Sequence, residues 1–142
     1  MLKYFFKVDY QKKDPNIDDF ALGIFSSKAN ANKKIDMAKK CMGFNKENGF
    51  TITKFGVNFP QNIEKPGVTL YSVEHEYSIM EDGEIYDIVS IFDILGSFEE
   101  AQKLVEYLKS HSRVGRAHPD NFEICEIVVD DFSCWSEGFD SY

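Results

Sequence analysis

Slid along itself by about seventy residues, this chain of 142 residues repeats its own pattern. Tyr4, Phe6 and Tyr10 fall on Tyr71, Val73 and Tyr77, and Ile24-Phe25 falls on Ile91-Phe92. Ser27, Ala31, Lys33 and Ile35 fall on Ser97, Ala101, Lys103 and Val105, and Phe50 and Ile52 on Phe122 and Ile124. Solenoid repeats have shorter periods and need at least three copies. A long period with two copies instead marks a duplicated supersecondary unit, and this constrains the fold more than any other feature.

The periods inside each copy give its elements. Tyr4, Phe6, Val8 and Tyr10 alternate with Phe5, Lys7 and Asp9, as Tyr71, Val73, His75, Tyr77 and Ile79 alternate with Ser72, Glu74, Glu76 and Ser78. Period two predicts strands with one buried face. Turns follow at "QKKDPN" and "MEDGE"; Asp-Gly between alternating runs is a hairpin signal. Second strands are expected over 20–25 and 85–94. Ser27 and Ser97 then sit as N-caps, with Glu100 completing a capping box in the second copy. Ala101, Leu104, Val105 and Leu108 form an apolar stripe at helical spacing, and Ala31, Ile35, Ala38 and Met42 a thinner one. In the last strand of each copy the apolar phase slips, from Phe50 and Ile52 to Phe55, Val57 and Phe59, and from Phe122 and Ile124 to Ile127 and Val129. A bulge or strand bend near Lys54 and Glu126 would explain it.

The expected fold is therefore α+β: a tandem β-β-α-β repeat with mainly antiparallel sheets, one helix per repeat and a pseudo-two-fold. The first repeat covers 1–59, the linker "PQNIEKPG" 60–67, and the second repeat 68–142. A right-handed crossover sets each third strand antiparallel beside the first. One such unit is marginal alone, so the two are expected to share a core. Thirteen Phe residues provide ample apolar area for it.

The charge is divided between the copies. Up to Pro66 there are twelve Lys/Arg against seven Asp/Glu, or +5; beyond it four (Lys103, Lys109, Arg113, Arg116) stand against seventeen, or −13, which together give the net −8. Such asymmetry points to an interaction role. It also opposes direct nucleic-acid binding by the second copy, because its charge repels phosphate. Lys12-Lys13, Lys33-Lys34 and Lys39-Lys40 read as solvated turns and helix faces, or as electrostatic partners of the acidic copy. "MLKYFFKVDY" is too short and too charged for a secretory h-region, and no apolar run is long enough to span a bilayer. Three scattered cysteines without a CxxC fit a reducing, cytoplasmic setting and no zinc site.

The region 69–139 resembles a family of small bacterial domains of uncharacterised function. The resemblance rests on Tyr71, Val73, His75 and Tyr77, on Phe122, Ile124 and Asp130, and above all on Trp135-Ser136-Glu137-Gly138-Phe139. The first copy departs from that pattern, with Val8 aligned to the His and no Trp motif after Phe59. The resemblance implies the fold and a bacterial cytoplasmic setting, and it brings no catalytic residues.

No chemistry-bearing constellation stands out. His75 falls on the inward phase of its strand and reads as hydrogen-bonded core. His111 and His118, near the helix end, can settle on the last helix carbonyls. Glu74, Glu76, Glu81, Asp82, Glu84 and Asp87 are dense but do not match a calcium loop. Cys125 and Cys134 have acidic neighbours in Glu123, Glu126, Asp130 and Asp131, which disfavour a thiolate. Neither a phosphate-binding glycine loop nor a nucleophile elbow is present. Trp135 is read either as a strap closing a core edge or as an exposed anchor.

These features point away from an enzyme, a cofactor or a metal and toward a binding module. The expectation is an immunity-type inhibitor, a monomer that neutralises a cationic toxin, such as a nuclease, by masking its phosphate-binding surface. Its partner-binding residues would be Glu74, Glu76, Asp82, Glu84, Tyr86, Asp87, Trp135, Glu137 and Phe139. Charge complementarity would speed the encounter. The alternative is a structural or regulatory homo-oligomer that pairs strand edges between chains.

Overall fold

The computed structural model describes residues 1–11, 20–41, 44, 49–63 and 65–135. The chain divides into two compact units. The leading unit is Leu2–Val57 together with the tail from Val128, and the trailing unit is Asn58–Ile127 with Met1. The class is α+β, and each unit holds a three-stranded sheet. No helix among the described residues is long and apolar enough to cross a membrane.

In the leading unit the strands are β1 (Leu2–Tyr10), β2 (Phe20–Phe25) and β3 (Phe50–Asn58), with helix α1 (Lys28–Ala38) between β2 and β3. The sheet order is β2-β1-β3, so β2 is an outer strand. Ser27 caps α1, its hydroxyl accepting from the Asn30 amide at 3.1 Å. Val8, Tyr10, Leu22, Phe25, Ala31, Ile35 and Ala38 form the buried core, with Phe50 and Ile52 packed against it. The "QKKDPN" turn with Lys12-Lys13 falls largely on 12–19, and Met42 also lies outside the described residues.

The expected bulge in β3 is not there. Met1 pairs with Phe59, and Gln11 donates to Gly49. Ten residues separate each pair's members along both strands, so the ladder between them gains no net residue. The apolar phase changes because both faces of this sheet carry rings. Phe50 and Ile52 join the helix side, while Phe55 meets Phe5 at 6.0 Å. Phe5 is itself buried, against the expectation of one buried face. The register shifts instead between β1 and β2, at Val8/Asp9, where Gly23 adopts φ +134°.

In the trailing unit β4 (Thr69–Glu81) and β5 (Glu84–Leu95) form a long antiparallel hairpin, followed by α2 (Phe98–His111), the short unpredicted α3 (Arg113–Ala117) and β6 (Phe122–Val128). The order is β5-β4-β6, so β5 is again an outer strand. Ser97 caps α2, accepting from the Glu100 amide at 3.2 Å. The predicted stripe of Ala101, Leu104, Val105 and Leu108 packs with Val73, Phe92, Phe122 and Ile124. Asp82 and Gly83 make the turn with φ of +54° and +78°, as a two-residue type I′ loop requires.

Helix length sets what this hairpin exposes. The 14 residues of α2 reach about 21 Å at a rise of ~1.5 Å. The 13 residues of β4 reach about 43 Å at a rise of ~3.3 Å. Leu70, Ser72, Val73 and His75 are buried, whereas β4 beyond Glu76 and most of β5 are exposed. The outer half of the hairpin is therefore a two-stranded arm.

Candidate protein-interaction site

The arm gathers most of the carboxylates singled out in the sequence. The β4–β5 register sets Glu74 against Ile91, Glu76 against Val89, Ser78 against Asp87 and Met80 against Ile85. Residues paired across strands share a face. One face of the arm thus interleaves Glu74, Glu76 and Asp87 with the exposed apolar Met80, Ile85, Val89 and Ile91. Asp82 lies in the turn, and Glu84 follows it. The opposite face carries Tyr86, whose hydroxyl donates to Glu84 at 2.8 Å. That bond and slight desolvation raise the phenol's pKa. Ser78 donates to Asp87 at 2.6 Å.

Ion pairs among the described residues join Lys7 to Asp9, Lys103 to Glu99 and Lys109 to Glu106. None of these includes an arm carboxylate. Glu74 instead meets Cys125 on β6. Burial, then the hydrogen bond to Glu74, then the charges of Glu74 and Glu123 push that thiol up to about 12. Such a thiol is a poor nucleophile near neutral pH.

An open depression of about 460 Å³ lies where β6 begins, lined by Glu76, Tyr77, Ser78, Asp120, Asn121, Phe122 and Glu123. Asn121 closes the β4–β6 ladder there. Its carbonyl accepts from the Glu76 amide at 3.3 Å, and its side-chain amide donates to the Glu76 carbonyl at 3.0 Å.

The histidines are structural in their contacts. His75 is 1% exposed, and its Nε2 donates to the His118 carbonyl at 2.9 Å. Its ring meets Phe122 edge-on at 4.6 Å. His118 stacks on Tyr77 at 4.5 Å, and His111 stacks on Tyr107 while donating to that residue's carbonyl at 2.9 Å. Among the described residues, no three His, Cys, Asp or Glu converge as a metal-ligand set.

Trp135 belongs to the leading unit, not to the unit that precedes it in the chain. One face of its ring stacks on Phe20 at 4.5 Å and the residue is 41% exposed. The tail holds it there. The Asp130 amide donates to the Ile24 carbonyl at 3.0 Å, and the Asp130 carboxylate accepts from the Ser26 amide, the Ser26 hydroxyl and the Asn30 side chain. Burial works to raise the Asp130 pKa, but these three bonds outweigh it and lower the pKa on balance. Lys34, read from the sequence as solvated, is 1% exposed. Its ammonium donates to the carbonyls of Phe132 and Cys134 at 2.8 and 2.6 Å. Sequence reasoning missed this residue, because nothing local separates it from Lys33. Glu137 and Phe139 lie outside the described residues.

No family model, no curated protein and no solved structure matches this chain.

Proposed function

We propose that the chain is an acidic protein-binding module, not an enzyme, and that the β4–β5 arm is its binding element. The observation that carries this reading is the arm's surface, where carboxylates outside any ion pair among the described residues alternate with exposed Ile85, Val89 and Ile91. Apolar patches rimmed by charge mark interaction surfaces. The charge complements a basic protein. In its sharpest form the reading is an immunity-type inhibitor in the bacterial cytoplasm that covers the cationic surface of a toxin domain such as a nuclease.

A second inference supports the duplication read from the sequence. Both sheets have the order second-first-third, both helices carry a Ser N-cap, and both first hairpins shift register. Matching the shifts sets Val73 on Val8 and His75 on Tyr10, so the buried His takes the place of a buried Tyr. The sequence alignment, two residues off, had set it on Val8. The resemblance of 69–139 to small bacterial domains goes with this proposal.

The test is direct binding to the protein encoded immediately upstream, by calorimetry at low and high salt. The expected result is a one-to-one complex that weakens with salt and with the charge reversal Glu76→Lys/Asp87→Lys, together with inhibition of that protein's activity. Binding indifferent to salt and to charge reversal, or none at all, would sink the reading. The alternative of a homo-oligomer draws support from the open β5 edge. Size-exclusion that shows an oligomer without the upstream protein would favour it.

A further inference from the structure

The hydrogen-bond phase of the arm follows from its turn. A two-residue loop makes Glu81/Glu84 a hydrogen-bonded pair, and every second pair after it is bonded as well. These are Ile79/Tyr86, Tyr77/Ile88 and His75/Ser90. The alternate residues Glu76, Ser78 and Met80 must then turn their main-chain groups away from β5. The bonds between Glu76 and Asn121, just before β6, confirm that phase independently. By the same rule Ile85, Asp87, Val89 and Ile91 direct their amides and carbonyls off the outer edge of the sheet, where no strand follows among the described residues. Such an edge is a template for another chain unless it is short, bulged, proline-bearing, covered or guarded by charge, and the charges of Glu84, Asp87 and Asp93 restrict this one to a strand that can match them. This one runs without interruption to the register shift at Phe92.

The leading unit shows what happens to an outer strand when the chain has cover for it. Along β2 the tail donates from Asp130 to the Ile24 carbonyl, and the tail backbone passes close to Gly23. No described segment does the same for β5.

We propose that the outer edge of β5 takes an extended basic segment of a protein partner by antiparallel strand addition. This rests on the proposed reading of the arm as a binding element and names how it binds. On the face shared by Ile85, Asp87, Val89 and Ile91, the added strand places a Lys or Arg opposite Asp87 and apolar residues opposite the other three. Its sequence therefore reads apolar-x-apolar-x-basic-x-apolar. A second copy of this chain fits less well. Edge pairing would bring two sets of Glu84, Asp87 and Asp93 together, and like charges across strands repel.

The probe is a synthetic nine-residue peptide of alternating Thr and Val with one Lys in that pattern, titrated into the full chain at low salt. The added strand's Val and Lys amides face β5, whereas its Thr amides face away. N-methylation of the Val and Lys positions should weaken binding at least tenfold, and N-methylation of the Thr positions should not. Hydrogen exchange should slow at the amides of Asp87, Val89 and Ile91. Val89→Pro removes an outward amide without removing a hairpin bond, and should also cost at least tenfold with circular dichroism unchanged. Equal effects of the two methylation patterns would overturn strand addition while leaving a charge-driven partner in place. So would a peptide that fails to bind while the upstream protein binds. A salt-resistant dimer with those three amides already protected would assign the edge to a second copy, and overturn the proposal as well.

Discussion

The two sheets share a strand order and differ in what lies along their outer strands. Beside β2 runs the tail, with its polar groups satisfied: Asp130 by Ile24, Ser26 and Asn30, and the carbonyls of Phe132 and Cys134 by the buried Lys34. Beside β5 no described residue runs, and its side chains include Ile85, Val89 and Ile91, each more than half exposed. A cover whose described polar groups find donors and acceptors in this way contributes to stability. An apolar edge left without one contributes little to the folded state and is open to association. On the proposed reading the first half is structural and the second binds, and this contrast can be broken at three points.

The largest expected effect is at Lys34. Lys34→Met keeps the apolar stem and deletes the ammonium, leaving two part-buried carbonyls without their charged donor. Hydrogen bonds to a charged group contribute about 1.5–3 kcal/mol, so urea unfolding should show a loss of that order. Limited proteolysis should cut the tail near Trp135 sooner than in the unchanged chain. Unchanged stability and an uncut tail would mean that the strap is incidental, and the contrast with β5 would lose one side.

What the sequence made legible is local. The strands of the trailing unit show in the alternation from Tyr71 to Ile79, the helix starts in Ser27 and Ser97, and the hairpin turn in Asp82-Gly83. Each depends on residues within a turn or two of one another. Lys34 was misread because its burial depends on carbonyls 98 and 100 residues further along the chain. The β3 bulge was misread because a phase change looks the same whether a strand gains a residue or has rings on both faces, and only the pairing with β1 tells them apart. The carboxylates of the arm were legible as a cluster, since six of them lie from Glu74 to Asp87. Their alternation with exposed Ile and Val was not, because period two marks a buried face just as well. The shortness of α2 against β4 decides the matter, and it is a fact of three dimensions.

A smaller effect is expected at Asp130. Its pKa is lowered in the folded chain, so the carboxylate contributes stability above the ordinary value of 3.8. That contribution fades as pH falls through the lowered folded value. Asp130→Asn cannot carry the charge and loses this part at every pH. The two chains should differ in urea midpoint at pH 7 and converge as pH falls well below 3.8. A constant difference across that range would show that the Ser26 and Asn30 bonds do not depend on the charge, and would reduce the tail's anchor to its contacts with Lys34 and Phe20.

The smallest expected effect lies in the arm and tests the other side of the contrast. Val89 and Ile91 are each 57% exposed, on the edge strand. Burial is what makes an apolar side chain stabilising, and these side chains have little of it. Exposed positions away from caps, cavities and networks change stability by no more than about 0.5 kcal/mol. Val89→Lys and Ile91→Lys should therefore leave the urea midpoint close to that of the unchanged chain. The same substitutions place an ammonium beside Glu76 and Glu74, and a Lys on an edge strand opposes pairing with another chain. Binding of the upstream protein should fall while folding does not. A loss of stability as large as that expected for Lys34→Met would mean that something in the chain already covers these side chains, and the arm would have to be counted with the structural half.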